Sequence, residues 1–281
     1  MFDLLHDPFI QSSALPLIVS LLAVGILHRL APGRVLALAG IGVTFLIVFA
    51  LVVGVPALPP PSSMGKLFWS AAGGLVLGVA ADAMGVQGRA ASVLVAAWLA
   101  TALVWIALPA LDSAAAFVTL AILLAVGGVV AFGHRPDRTG SATAPAASLL
   151  ALSLAVGGTA LIGSSASVAQ MALALAAAAG GFLLWNWPVE RHGWGVSGQV
   201  ALGIAVLLAT VLALFTQTQA VELLLALPAL LAGRLRHRLP LPETGFGRAM
   251  GGAAVTILAV LPALAAIGAA YLLGGAEASP Y

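Results

Sequence analysis

The sequence contains no cysteine among its 281 residues. Disulfide bonds, thiolate catalysis and cysteine-based metal sites are therefore excluded. Charged residues are also scarce, because Lys, Arg, Asp and Glu together make up 7% of the chain. A soluble domain carries roughly 25% charged residues, so this chain cannot build a water-facing surface. The small net charge of +2 gives no reason to expect a nucleic-acid partner.

Apolar residues are abundant and make up 62% of the chain. They fall into runs of about 20 residues, the length with which an α-helix crosses the roughly 30 Å hydrocarbon core of a bilayer. We therefore expect an all-α, multi-pass membrane protein with a single transmembrane domain over residues 1–281. The ten predicted segments are Ala14–Leu30, Val35–Val55, Lys66–Ala81, Ala90–Leu108, Ala114–Phe132, Ala144–Ile162, Ser167–Leu184, Ser197–Thr216, Ala220–Leu235 and Ala249–Leu273.

The basic residues predict the orientation of these segments. Ten of the eleven Lys and Arg residues lie in alternate links, and Lys66 is the exception. The positive-inside rule then places the links at 28–34, 82–89, 133–141, 186–196 and 233–248 in the cytoplasm and both termini outside. Each of these links after the first holds an acid, and an acid near a helix end is a candidate site. A lone acid beside an arginine is, however, more often a charge partner.

The longest polar run between two apolar segments extends from Asn186 to Gly203 and reads NWPVERHGWGVSGQVALG. It resembles the signature of the polyprenyl-phosphate N-acetylhexosamine-1-phosphate transferases. These bacterial enzymes transfer a sugar-1-phosphate from a UDP-sugar to undecaprenyl phosphate. The family pattern NFPPARIFMGDSGSxxxG is matched, with Trp187 at the aromatic position, by Asn186, Pro188, Arg191, Gly195, Ser197, Gly198 and Gly203. The resemblance implies ten helices in the bacterial inner membrane, with this loop between helices seven and eight.

Three other links resemble further motifs of the family. GVAADAMGVQGR at 78–89 is similar to a motif with paired Asp residues, of which Asp82 matches the second. HRPDRTGS at 134–141 places Asp137 where the family has an Asp, and the basic run at 234–248 keeps Glu243 but lacks a histidine cluster. If the protein is an active enzyme, the resemblance implies that Asp82 and Asp137 are catalytic and hold Mg²⁺.

Val196 is the main departure from the family, because it stands at the Asp position of the signature. In the family that carboxylate is thought to hold Mg²⁺, which offsets the repulsion between two phosphates, and a valine offers no ligand. We therefore expect a catalytically inactive relative that binds polyprenyl phosphate or a partner in cell-envelope glycan assembly. An active Mg²⁺-dependent transferase and a transporter or channel are the alternatives, although no acid, His or Arg lies near a helix midpoint.

A lipid phosphate or an anionic headgroup would be held by basic and polar residues of the cytoplasmic links. A homodimer is the default expectation for a membrane bundle of this kind. The candidate substrate-binding residues are Asn186, Arg191, Ser197, Arg89, Arg234, Arg236 and Arg238.

Overall fold

A computed structural model describes residues 7–30, 35–137, 139–216, 221–236 and 244–277, without the side chains of 235, 236 and 274–277. These residues form an all-α protein in which paired extended backbone is confined to one bridge between Asp137 and Trp194. Eight helices of this part of the chain are long and apolar enough to cross a membrane. The predicted fold class, a multi-pass α-helical membrane protein, is therefore confirmed.

The helices follow one another with short links after a helical turn at Pro8–Ser12. The helices are α1 (Ala14–Leu30), α2 (Ala39–Val52), α3 (Ser63–Ala83), α4 (Gly88–Ala107), α5 (Ala114–Gly133), α6 (Thr143–Ile162), α7 (Ala166–Trp185), α8 (Val196–Phe215), α9 (Ala232–Arg236) and α10 (Gly245–Glu277). For α1 and for α3 to α8, the observed ends lie within three residues of the predicted ones.

The centre of the bundle is α8, in which sixteen of twenty residues are buried. It packs against α3, α4, α5 and α6, while α7 lies between α1 and α6. Small residues allow these close approaches, as is usual for helices in lipid. At Gly181 of α7, for example, a Cβ would lie 2.8 Å from the Ser20 Cβ of α1, and the Ser20 hydroxyl donates to the Ala178 carbonyl at 2.7 Å.

The ninth predicted segment differs from a regular α-helix. Val221–Leu231 forms a 3₁₀ helix that contains Pro228, and the five residues of α9 follow it. A 3₁₀ helix rises about 2.0 Å per residue and an α-helix 1.5 Å, so these sixteen residues extend over roughly 30 Å. That length matches the hydrocarbon core of a bilayer. The segment can therefore serve as a crossing, although the count of ten crossings stays a prediction.

Candidate functional site

Asp82, near the end of α3, directs its carboxylate at the first turn of α8. Its Oδ1 accepts a hydrogen bond from the Val196 N–H at 2.7 Å. Its Oδ2 accepts from the Ser197 N–H at 2.9 Å and from the Ser197 hydroxyl at 2.6 Å. The first N–H groups of a helix have no partner within the helix. Asp82 is 1% exposed, so it acts as a buried N-cap that α3 supplies to α8.

Two glycines let Asp82 come this close to α8. A Cβ on Gly78 would lie 2.8 Å from the Ser197 Cα, and a Cβ on Gly195 would lie 2.6 Å from the Asp82 Oδ1. Either side chain would therefore push the first turn of α8 away from α3. Val196, at the position of the family's Asp, is fully buried in an apolar cluster and offers no side-chain oxygen.

Asn186 shapes the loop between α7 and α8 from its buried position at the end of α7. Its Oδ1 accepts hydrogen bonds from the Arg191 N–H at 2.8 Å and the His192 N–H at 3.0 Å. Its Nδ2 donates to the Thr143 hydroxyl of α6 at 3.2 Å. Asn186 therefore folds the loop back and ties it to α6, which explains an asparagine here without any bound substrate.

Asp137 lies on the other side of the same loop. Its backbone N–H and carbonyl pair with those of Trp194 at 2.8 and 3.0 Å. Its exposed carboxylate accepts hydrogen bonds from the Thr139 hydroxyl and N–H, and these bonds lower its pKa. Asp82 and Asp137 thus both adjoin residues 194–197. Among the residues that the structure describes, however, no group of three His, Asp or Glu side chains is placed to hold a metal ion.

The candidate arginines are spread over this face of the protein. Arg89, Arg191 and Arg234 are exposed. Arg191 is also anchored, because its guanidinium donates to the Trp185 carbonyl at 3.2 Å and lies 5.9 Å from the centroid of the Trp185 ring. Outside the described residues lie Arg238 and Glu243, together with the side chain of Arg236.

An apolar groove, called the lateral groove below, lies between α5, α6, α8 and the 3₁₀ helix and has a volume of about 220 Å³. Its mouth contains Ile122 and Val221, which are 45% and 61% exposed. At the end nearer the α7–α8 loop it is lined by Val130, Leu152 and Leu227. The groove is thus open on a surface that faces lipid in a membrane.

A polar cluster lies about one helical turn beyond that end of the groove. His134 follows α5, and its Nε2 lies 3.1 Å from the Ser148 Oγ of α6. The Ser148 hydroxyl has carbonyl oxygens of Ala144 and Ala229 as acceptors, at 3.1 and 2.9 Å. The Ser148 hydroxyl thus links the His134 ring to backbone carbonyls of α6 and of the 3₁₀ helix. Burial, and secondly the positive charge of Arg234, lower the pKa of His134 to about 4.

A second and wider cavity, of about 460 Å³, lies between α7 and α10 with α1 and α6 behind it; we call it the α7–α10 cleft. Leu17, Leu150 and Ile257 are among its apolar lining residues. Its polar end is formed by Thr143, Asn186, Glu190 and Arg248, with Trp187 beside them. Asn186 therefore lines this cleft, whereas Asp82 and Ser197 meet at the start of α8.

Sequence reasoning located the loop, Asn186 and Arg234, but it missed both cavities and the hydroxyl residues Ser148 and Thr143 near their ends. Ser148 and Thr143 are ordinary hydroxyl residues near the start of an apolar helix, so nothing in the sequence distinguishes them. Arg248 was visible only as one of several basic residues near helix ends.

Compared with models of known protein families and with curated proteins, the sequence matches none. The resemblance of the α7–α8 loop to the transferase signature therefore stays a prediction.

Proposed function

We propose that this protein binds a polyprenyl phosphate in the membrane and is a non-catalytic relative of the sugar-1-phosphate transferases that its loop resembles. The proposal includes ten crossings of a bacterial inner membrane, with the arginine-rich links in the cytoplasm. The observation that carries it is the lateral groove, because this apolar groove is open to lipid and extends toward His134 and the neighbouring Arg234.

The apolar groove and the polar cluster beyond its end match the two parts of such a ligand. An isoprenoid chain is apolar and would fill the space between α5, α8 and the 3₁₀ helix. Its phosphate would lie beyond the end of the groove, beside His134, where the charge of the exposed Arg234 is felt and can pair with it. A phosphate near His134 would raise its pKa and favour the protonated ring, which has an N–H donor at each ring nitrogen.

The non-catalytic part of the proposal depends on the carboxylates. Asp82 accepts three hydrogen bonds from Val196 and Ser197, so its oxygens are occupied by the start of α8. Mg²⁺ is usually held by one or two carboxylates together with phosphates and water. The opposing candidate is an active Mg²⁺ enzyme, which the position of Asp82 and Asp137 beside residues 194–197 favours.

Binding is tested by titrating undecaprenyl phosphate into nanodiscs that contain the full-length protein. We expect saturable binding, which Arg234→Ala weakens about tenfold or more through loss of a charge-assisted contact. Ala209→Phe narrows the groove and should also weaken binding. Ala125→Phe is its control, because Ala125 is exposed on α5 and does not line the groove. Equal affinity of all four proteins would refute the proposed site.

Catalysis is tested separately with a UDP-sugar, undecaprenyl phosphate and Mg²⁺ or Mn²⁺. We expect no release of UMP from the wild-type protein. Release that requires the metal and disappears in Asp137→Asn would establish the active-enzyme alternative. Saturable binding without turnover would support the binding protein.

A further inference from the structure

We propose that the α7–α10 cleft binds one zwitterionic glycerophospholipid with a primary ammonium group, its phosphate on Arg248 and its ammonium on Glu190. This site is distinct from the lateral groove, and it does not depend on any relation to the transferases. Phosphatidylethanolamine is the lipid of this chemistry that we would test first.

The shape of the cleft suits lipid chains. α6 packs closely against both α7 and α10 and forms the back of the cleft between them. Gly180 of α7 and Gly252 of α10 lie on its walls. A Cβ at Gly252 would make only ordinary contacts, 3.7 Å from Thr143 and Trp187. The glycines therefore widen the cleft without being needed for close helix packing.

The charges at the polar end are of opposite sign and come from two different elements. Glu190 belongs to the α7–α8 loop and Arg248 to the first turns of α10. No described residue forms a hydrogen bond or an ion pair with the Arg248 guanidinium, and the side chain is exposed beside an apolar cavity. A guanidinium in such a place can bind two oxygens of a phosphate at once.

Glu190 and Asn186 supply the remaining contacts. A Glu190 oxygen accepts from the Thr143 hydroxyl at a long 3.4 Å, and a carboxylate has further acceptor positions for an ammonium group. Asn186 is 2% exposed, and one of its Nδ2 hydrogens goes to Thr143. Its second Nδ2 hydrogen has no acceptor among the described residues, so a phosphate oxygen in the cleft would satisfy it.

Trp187 places this polar end at the level of lipid headgroups. Its ring is 52% exposed, and its Nε1–H donates to the Ala249 carbonyl at 3.1 Å. Tryptophans of this kind are enriched where the membrane meets water. The hydrogen bond also ties the loop that carries Glu190 to the helix that carries Arg248, so both charges are held on one cleft.

The combination of charges predicts a choice between lipids. Phosphatidylglycerol has a phosphate and no cation, so it would pair with Arg248 but bring no positive charge to the Glu190 carboxylate. Phosphatidylcholine has a quaternary ammonium, which cannot donate a hydrogen bond to Glu190. We therefore expect phosphatidylethanolamine to bind at least tenfold more tightly than either.

The test is native mass spectrometry of the delipidated full-length protein titrated with each of the three lipids. Arg248→Gln should weaken phosphatidylethanolamine binding about tenfold, and Glu190→Gln should reduce its preference over phosphatidylcholine. Gly252→Leu fills the cleft without changing a charge and should reduce binding of all three lipids. Arg234→Ala is the matched control, because it removes an exposed arginine that does not line this cleft and should leave this binding unchanged.

The outcomes separate this site from the lateral groove. Arg248→Gln should leave undecaprenyl phosphate binding unchanged, so each proposal can fail alone. Equal affinity for the three lipids, or wild-type affinity in Arg248→Gln, would overturn the proposal. The proposal would also be overturned if the mass spectrum showed a dimer without bound lipid and Gly252→Leu abolished that dimer. The cleft would then be an interface between copies.

Discussion

Replacing Asp82 tests whether this acid holds α8 in place. In Asp82→Ala the N–H groups of Val196 and Ser197 lose their acceptor inside the protein. Each buried donor left without a partner costs about 1–3 kcal/mol, so the free energy of unfolding should fall by about 2–6 kcal/mol. Asp82→Asn keeps one oxygen acceptor and should cost less. Ser197→Ala removes only the hydroxyl contact and should cost about 1 kcal/mol.

The assay is equilibrium unfolding in mixed micelles, followed by tryptophan fluorescence. Amide hydrogen exchange over residues 194–200 adds a local measurement, since the loss of the cap should expose these amides first. Asp112→Ala is the control, because Asp112 is an exposed acid in the link between α4 and α5, and its removal should change neither measurement.

The order of the effects distinguishes a cap from a metal ligand. A cap predicts that Asp82→Ala costs more than Asp82→Asn, and Asp82→Asn more than Ser197→Ala, with or without Mg²⁺. A metal ligand predicts that Mg²⁺ stabilises the wild-type protein and that the stabilisation disappears in Asp82→Asn. Asp82 would not be a cap if Asp82→Ala were as stable as the wild type and equally protected over residues 194–200.

Two further predictions concern stability. Gly78→Ala should destabilise the protein because its Cβ would meet the Ser197 backbone. Gly73→Ala in the same helix is the control, because its Cβ meets nothing within 4 Å and the change should be neutral or slightly stabilising. Thermal unfolding of the two variants compares their stability. Burial and Arg234 lower the pKa of His134 to about 4, so folded protein binds fewer protons than the unfolded chain between pH 4 and 6.5. The contribution of neutral His134 to the free energy of unfolding is complete above pH 6.5 and falls by up to about 3 kcal/mol toward pH 4. His134→Gln should therefore flatten the pH dependence of the unfolding midpoint.

The sequence predicts the long helices well because their signal is local. A run of apolar residues ended by Gly, Pro or charged residues fixes where a crossing begins and ends, and α7 was predicted within one residue at each end. Segment nine shows the limit of that signal. Hydropathy reports length and polarity, but it does not report whether backbone N–H groups bond three or four residues back, so the 3₁₀ geometry of Val221–Leu231 was missed.

The candidate site was harder to predict because its contacts join distant parts of the chain. Asp82 was recognised as notable, yet its hydrogen-bond partners lie 114 and 115 residues away. The structural role of Asn186 is easier to predict from the sequence. It follows an apolar run, and its side chain bonds residues five and six positions later, which is a local role that an asparagine at a helix end suggests.

Several residues that match the transferase signature have structural roles in this fold. Asn186 folds the loop, Gly195 makes room for the Asp82 carboxylate, and a Cβ at Gly203 would come within 2.5 Å of the Trp98 ring. A fold with this loop would require these residue types whether or not it bound a nucleotide-sugar. The departure falls instead at Val196, where packing accepts an apolar side chain and only metal binding would need an acid. The match therefore supports a proposal about architecture and carries little weight for catalysis, which is why lipid binding and turnover have to be measured separately.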